Sequence, residues 1–346
     1  MKVVVIGAGL IGTSIALGVK RAGAEVELID LDGRAEKLAN DLVSNGKVSD
    51  PDLVVIATPT SSVHRVIEEF KDIYPKSTFI DIGSTKTKVK VDVQTFGDFS
   101  KRFVPTHPMA GREVDGAEGA QSDLFQGKTW VVTPLEESAP ESLKLVSELI
   151  ESLGARVKVM EVAEHDQAVA LVSHLPQIIS SLLAAQLDTR NSEELSLAGS
   201  GVLDTTRIAG SNPDLWREIL DLNKEPLLPL LQSFQNDLST LIKEFNVQEV
   251  LERGRSGRAK LPGKHKSAAR NYTYLPVVID DKPNQLAALF DECAKANVNV
   301  EDLSIEHSPE QETGLVILAL SEKNATVLQE HLSRANWRVH PPRSEK

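Results

Sequence analysis

Lys2-Val3-Val4-Val5-Ile6-Gly7-Ala8-Gly9-Leu10-Ile11-Gly12 opens the chain, and its reading decides the fold of the first half. An apolar, β-branched run enters G-x-G-x-x-G, and the helix-compatible stretch Thr13-Ser14-Ile15-Ala16-Leu17 follows at once. Gly7 permits a tight turn out of a strand, Gly9 lets backbone approach a pyrophosphate, and Gly12 lets a helix pack closely on the sheet. The helix start at Leu10 and Ile11 would turn unpaired N–H groups toward phosphate charge. A second strand, Glu25-Val26-Glu27-Leu28-Ile29, ends in Asp30, eighteen residues past Gly12. A carboxylate at that spacing suits a ribose 2′-hydroxyl and repels a 2′-phosphate, so the reading is NAD rather than NADP.

Lys2 ahead of a mostly apolar run to Val19 superficially resembles a secretory leader, but three glycines interrupt it and no cleavage site follows. One cysteine, Cys293, excludes an intramolecular disulfide framework. No window is read as a membrane span, so the expected location is the cytoplasm. A net charge of −12 argues against a nucleic-acid partner, which would need cations against phosphate. No His, Cys or carboxylate cluster has metal-ligand spacing, and no metal is expected. Residues 253–270 carry seven Lys or Arg and no acid, in a Gly-, Ser- and Ala-rich setting. That stretch is read as a basic linker, with the alternative that some of its cations face an anionic ligand.

Residues 1–160 alternate short apolar strands with amphipathic helices, the pattern of a parallel, doubly wound Rossmann sheet. Further strands are expected at Leu53–Ala57, Thr78–Ile82, Phe103–Pro105, Thr129–Val132 and Arg156–Val159. Ligands of such sheets bind beyond the carboxyl ends of the strands. That rule singles out Thr58-Pro59-Thr60-Ser61, with Thr58 and Pro59 as cofactor contacts, then Gly83-Ser84-Thr85-Lys86 and Thr106-His107-Pro108-Met109-Ala110-Gly111. Residues 161–252 read as all-α. One helix is expected from Glu164 to about Leu187, kinked or restarted at Pro176. A later one carries Leu227, Leu231, Phe234, Leu238, Leu241 and Phe245, an a/d seam that needs a partner helix and suggests a homodimer. Residues 271–340 read as strand, helix, strand, strand, helix, strand, the ferredoxin-like α+β plan.

His107, at the end of a predicted strand, can take a carbinol proton as the carbon loses hydride, a role worth roughly 10²–10⁴-fold in rate. Ser84 ends the neighbouring strand and could orient His107 or the nicotinamide amide. Arg207, with Asp204 three residues before it, is either a structural ion pair or a carboxylate receptor. His174 reads as a core histidine at a helix kink, and His165 as a surface or capping residue.

These motifs together resemble the prephenate/arogenate dehydrogenase family of tyrosine biosynthesis. The carrying stretches are Gly7–Gly12, Asp81–Lys86, His107-Pro108-Met109-Ala110-Gly111-Arg112-Glu113, Ser173-His174-Leu175-Pro176, and Thr206–Ala209 with Trp216-Arg217. The tail, with Asp280-Asp281-Lys282-Pro283-Asn284-Gln285-Leu286, is similar to an ACT domain, a module that commonly binds amino acids. The resemblance implies NAD-dependent oxidative decarboxylation of a small cyclohexadiene substrate. It gives His107 the substrate hydroxyl, Ser84 a supporting role, and Arg207 a substrate carboxylate, with His174 and Gln177 also at the substrate. It further implies tyrosine as an effector of the tail. Gln177 stands where many members have His; a neutral amide does not repel the ammonium of arogenate, so arogenate is expected to be used well. Asn284 stands where ACT domains often have Gly. The competing readings are a β-hydroxyacid or 6-phosphogluconate-type dehydrogenase and a non-catalytic sensor of NAD and an amino acid. The first typically needs a helical-domain lysine, and the segment from Glu164 to Leu187 has none.

Overall fold

The computed structural model describes the whole chain except residues 44–45, 113, 115, 262–271, 307–311 and 345–346. Glu113 and part of the expected linker therefore lie outside the described residues. The chain divides into two compact units, Met1–Thr240 and Leu241–Lys346.

In the first unit, β1 (Lys2–Ile6), α1 (Leu10–Arg21), β2 (Glu25–Ile29), α2 (Gly33–Val43) and β3 (Leu53–Ile56) come first. Next are α3 (Val63–Phe70), β4 (Thr78–Asp81), α4 (Thr87–Gln94), β5 (Phe103–Pro108), β6 (Thr129–Val132), α5 (Pro140–Ser152) and β7 (Arg156–Val159). The sheet order is β2-β1-β3-β4-β5-β6-β7. Strands that are buried on both faces explain the unbroken apolar runs such as Val3-Val4-Val5 and Val54-Val55-Ile56. Ile15, Ala39, Val146 and Leu149 from α1, α2 and α5 cover one face, and Val63, Ile67, Val89 and Val93 from α3 and α4 cover the other.

The sheet is not parallel throughout. β2, β1, β3, β4 and β5 run parallel, β6 pairs antiparallel with β5, and β7 follows β6 in parallel. Parallel neighbours need a crossover, usually helical. Between β5 and β6 the described chain holds only a short 3₁₀ turn, Ala117–Gly119, which permits reversal. β5 also runs to Pro108 rather than Pro105, so His107 lies inside the strand, paired with Val131.

The helical block comprises α6 (Val162–Val169), α7 (Leu175–Ala185), α8 (Ser192–Leu195), α9 (Ser200–Thr206), α10 (Pro213–Leu222) and α11 (Lys224–Glu244). The single helix expected from Glu164 is divided: a π-turn, Ala170–His174, separates α6 from α7, and Pro176 stands in the first turn of α7. Proline has no N–H and its ring crowds the carbonyl four residues back, which the wider π-turn relieves. By length and composition Val162–Ala185 could cross a membrane, contrary to the sequence expectation. It carries buried His165, Asp166, His174, Gln177 and Ser180, all hydrogen-bonded to protein groups, which marks it as packed against the protein. Along α11, Leu227 is buried while Phe234 and Leu238 are exposed, so the later part of the seam is left uncovered in the single chain.

The second unit contains α12 (Val247–Ala259), β8 (Thr273–Asp280), α13 (Gln285–Lys295), β9 (Asp302–Glu306), β10 (Thr313–Leu320), α14 (Glu322–Arg334) and β11 (Arg338–Val339). Arg253–Ala259, expected as linker, are the end of α12. The antiparallel sheet has the order β11-β8-β10-β9, with Leu289, Cys293, Leu328 and Leu332 of α13 and α14 packed on one face. Asn284 precedes α13 with φ +70°, a left-handed angle that asparagine tolerates better than most side chains.

Candidate active site

The carboxyl ends of β1, β3, β4 and β5 share one sheet edge. Strand order reverses at β1, with β2 added on one side and β3 on the other while all three run parallel, which is the switch point where such sheets bind ligands. A cleft of about 360 Å³ opens there, lined by Gly7, Gly9, Asp30, Thr58, Pro59 and Arg65, among others. Gly7 has φ +115°, and a Cβ on it would meet the Ala57 carbonyl oxygen at 2.5 Å. A Cβ on Gly9 would meet nothing within 4 Å, so that glycine keeps a space open rather than relieving a contact inside the protein. No side chain caps the N-terminus of α1 at Gly9. Thr58 Oγ1 is buried without a hydrogen-bond partner. These features fit a dinucleotide: an uncapped helix start for pyrophosphate, an orphaned hydroxyl, and an acid at the end of β2. Asp30 also serves the loop itself, accepting from the backbone N–H of Ala8 at 2.6 Å and of Asp32 at 2.8 Å.

Three strands from β1 along the same edge, β5 carries His107, half-buried. Its Nδ1 lies 2.9 Å from Nε2 of His165, whose Nδ1 lies 2.8 Å from Asp166 Oδ1. Asp166 in turn accepts from the backbone N–H groups of Lys86 at 2.9 Å and Thr87 at 2.8 Å, where α4 begins without a capping side chain of its own. Burial opposes charge on Asp166, but the bonds from His165, Thr87 and Lys86 hold its carboxyl below the usual range. Burial, the Lys86 cation and the two neighbouring histidines keep His107 well below its ordinary value, against the pull of Asp166. His107 is therefore neutral at pH 7.

His165 is buried and hydrogen-bonded to His107, not a surface or capping residue. The partner of His107 is His165, not Ser84, which sits half-buried in the loop after β4. That loop is fixed by Lys86, fully buried, whose ammonium contacts Asp81 and donates to the Thr106 carbonyl at 2.6 Å. The lysine is occupied in holding β4 to β5.

His174 is buried at the end of the π-turn, its Nδ1 2.9 Å from Asn223 Nδ2, which also donates to the Asp166 carbonyl oxygen at 2.9 Å. Burial lowers its pKa to about 4. One turn on, Gln177 Nε2 donates to the Ile208 carbonyl at 2.9 Å, and Ser180 Oγ donates to that of Thr205 at 2.8 Å. These bonds fasten α7 to the end of α9 and to the 3₁₀ turn Arg207–Gly210, at whose start Arg207 is exposed. Because the Ile208 carbonyl can only accept, the Gln177 amide must turn Nε2 toward it, leaving Oε1 as an acceptor. Gln177, Ala209, Ser211 and Trp216 border a hollow of about 480 Å³. The residues that sequence reading missed are His165, Asp166 and Asn223. Among the described residues no group of three or more His, Cys, Asp or Glu could hold a metal.

Two family models match the chain: "Prephenate dehydrogenase, nucleotide-binding domain" over residues 15–159 and "Prephenate dehydrogenase, dimerization domain" over residues 161–253. A probable prephenate dehydrogenase, NovF, of Streptomyces niveus is 28% identical over 96% of this chain and 98% of its own length. The prephenate dehydrogenase of Bacillus subtilis is 28% identical over 90% of this chain and 89% of its own. The crystal structure of Aquifex aeolicus prephenate dehydrogenase with hydroxyphenyl propionate and NAD+ aligns with TM-score 0.67 and 29% identity. It covers 75% of this chain and 97% of that one. Synechocystis arogenate dehydrogenase aligns with TM-score 0.61 and 29% identity over the same shares. With the glycine loop, the histidine on β5 and the helical block all in place, the chain belongs to the prephenate dehydrogenase family.

Proposed function

We propose that this chain catalyses the NAD-dependent oxidative decarboxylation of prephenate or arogenate in tyrosine biosynthesis, in the cytoplasm. The observation that carries the reading is His107 on the sheet edge that also bears the glycine loop, hydrogen-bonded to His165 and through it to Asp166. NAD, when bound, supplies the hydride acceptor. Gly7, Gly9, Gly12 and the first turn at Leu10 and Ile11 would hold its pyrophosphate, Asp30 its ribose, and Thr58 and Pro59 the wall beside it. His107 takes the proton of the ring hydroxyl as hydride departs from the carbon that bears it, and returns the proton to the phenolate oxygen once the ring is aromatic. Loss of the ring carboxylate as CO2 makes the ring aromatic, and that driving force lets a weakly basic histidine suffice. Ser84 supports the hydroxyl, Arg207 pairs with a substrate carboxylate, and His174 donates to the substrate.

Gln177 favours arogenate. An acceptor Oε1 suits an α-ammonium and finds no donor in the keto group of prephenate. The uncovered seam on α11 and the description of the matched helical domain support a homodimer. The β-α-β-β-α-β tail, with its left-handed Asn284 before α13, supports an ACT-like module that takes tyrosine.

One assay tests the core of this reading: NAD and NADP, each with prephenate and with arogenate. Turnover with NAD and a higher kcat/KM for arogenate are expected. Absent turnover overturns the enzyme; equal or better kcat/KM with prephenate overturns the preference. His107→Ala should abolish turnover and retain NAD binding. Tyrosine should inhibit the full chain and raise its Tm, and an absence of both effects removes the effector.

A further inference from the structure

The two active-site histidines are wired to one residue by opposite routes. The side chain of Asp166 reaches His107 through His165, and its backbone carbonyl reaches His174 through Asn223. We propose that His165, Asp166 and Asn223 are positioning residues that hold the two histidines in opposite hydrogen-bonding states, with Nε2 of His107 a bare acceptor and Nε2 of His174 a donor. This rests on the assignment of His107 and His174 to the reaction.

The assignment follows from which groups can only donate or only accept. Asp166 Oδ1 takes one backbone N–H, and Oδ2 takes another, so as a carboxylate it can only accept from His165 Nδ1. With its Nδ1 proton on that bond, a neutral His165 has a bare Nε2, which must accept from His107 Nδ1–H. His107 is then left with a lone pair on Nε2, the form that can remove a proton. On the other side, Asn223 must turn its NH₂ toward the Asp166 carbonyl, which cannot donate. The same NH₂ meets His174 Nδ1, so that nitrogen is bare and the His174 proton stays on Nε2. The charged and titratable groups acting on His107 are Lys86, His165, His174 and Asp166. When His107 gains a proton on Nε2, its Nδ1 proton can move to His165 Nε2. The positive charge then rests on His165, against the Asp166 carboxylate.

His165 is the residue to change, because it makes no backbone contact between α4 and α6 in the way that Asp166 does. His165→Leu removes the acceptor for His107 Nδ1–H, whereas His165→Gln can accept from His107 through Oε1 and donate to Asp166 through its amide. The Leu variant should lose roughly 10²-fold in kcat with KM and NAD binding little changed, and the Gln variant should recover at least tenfold of that. Nitrogen-15 spectra of histidine-labelled full-length enzyme should show His107 protonated on Nδ1 and His174 on Nε2. Asn223→Asp should reverse His174 and raise KM tenfold or more, with a smaller change in kcat. Unchanged kcat in His165→Leu overturns the proposal, as does a wild-type spectrum with His107 protonated on Nε2. Equal losses for Leu and Gln, with matching losses of Tm, would reduce His165 to a packing role and overturn it too.

Discussion

Replacing Lys86 by methionine should expose how much the buried ion pair under the site costs and contributes. The ammonium is fully buried against Asp81, itself fully buried, and also donates to the Thr106 carbonyl. Methionine keeps most of the side-chain volume but strands the carboxylate. Asp81 would retain the backbone N–H of Gly83 at 2.9 Å and a long contact from that of Thr106 at 3.3 Å. Removing one partner of a buried pair typically costs about 3–5 kcal/mol. The upper end is capped, because Asp81 can take a proton instead. For a carboxyl of ordinary pKa near 3.9, protonation at pH 7 costs about 4 kcal/mol. The expected loss is therefore about 3–4 kcal/mol, or roughly 6–16 °C in Tm for a unit of this size.

The sign with pH is fixed by the same argument. Burial already pushes Asp81 up, and Lys86 opposes it. Without the lysine its folded pKa rises further above the unfolded value, so the destabilisation is largest at neutral pH and fades as pH falls. At pH 5 protonation costs only about 1.5 kcal/mol. Denaturant unfolding of Lys86→Met, Asp81→Asn and the double variant at pH 7 and pH 5 is the assay. The double variant should recover most of the loss, costing far less than the sum of the two single changes. Lys86 also lowers the pKa of His107, so the acid limb of kcat/KM should move to higher pH in Lys86→Met. A loss under 1 kcal/mol at pH 7, or one that is the same at pH 5, refutes the reasoning.

The second and third glycines of the opening loop, Gly9 and Gly12, should fail differently. Gly9→Ala meets no protein atom, so Tm should hold while calorimetry shows NAD affinity reduced at least tenfold; Gly12→Ala would place its Cβ 2.0 Å from the Gly7 carbonyl oxygen and should lower Tm by itself. In wild-type enzyme, stability should fall as pH drops from about 6.5 toward 4. There the unfolded chain binds a proton at His174 that the folded chain refuses, a loss of about 2 kcal/mol by pH 5 from that histidine alone. Urea melts at pH 7 and pH 5 check it, with a flat or inverted dependence as the contrary result. The acid limb of kcat/KM should lie well below pH 6.5, because His107 is depressed in the free enzyme.

What was legible in the sequence was local. β1, the glycine loop and α1 are specified by neighbouring residues, and Asp30 by a fixed spacing along the same βαβ unit. The direction of β6 was not, since Thr129-Trp130-Val131-Val132 reads alike in either sense. The usable signal was the lack of a helical pattern long enough for a crossover after β5. The π-turn did leave a mark, Pro176, but proline alone does not say whether a helix kinks, breaks or widens.

His165 and Asp166 left no mark at all, for a physical reason. At the start of an amphipathic helix, His-Asp is what a solvated first turn contains, and its burial depends on α6 lying against α4. The hydrogen bond between His107 and His165 spans 58 residues and that between Lys86 and Asp166 spans 80, so no window of sequence contains both ends. The packing also explains why a carboxylate is tolerated there. α4 begins with backbone N–H groups that no local side chain satisfies, and Asp166 caps them from another helix, where the helix dipole favours negative charge. One carboxylate thus fastens the helical block to the nucleotide-binding sheet and fixes the state of the histidine between them. Substituting it would disturb attachment and chemistry together, which is why only a change at His165 can separate the two.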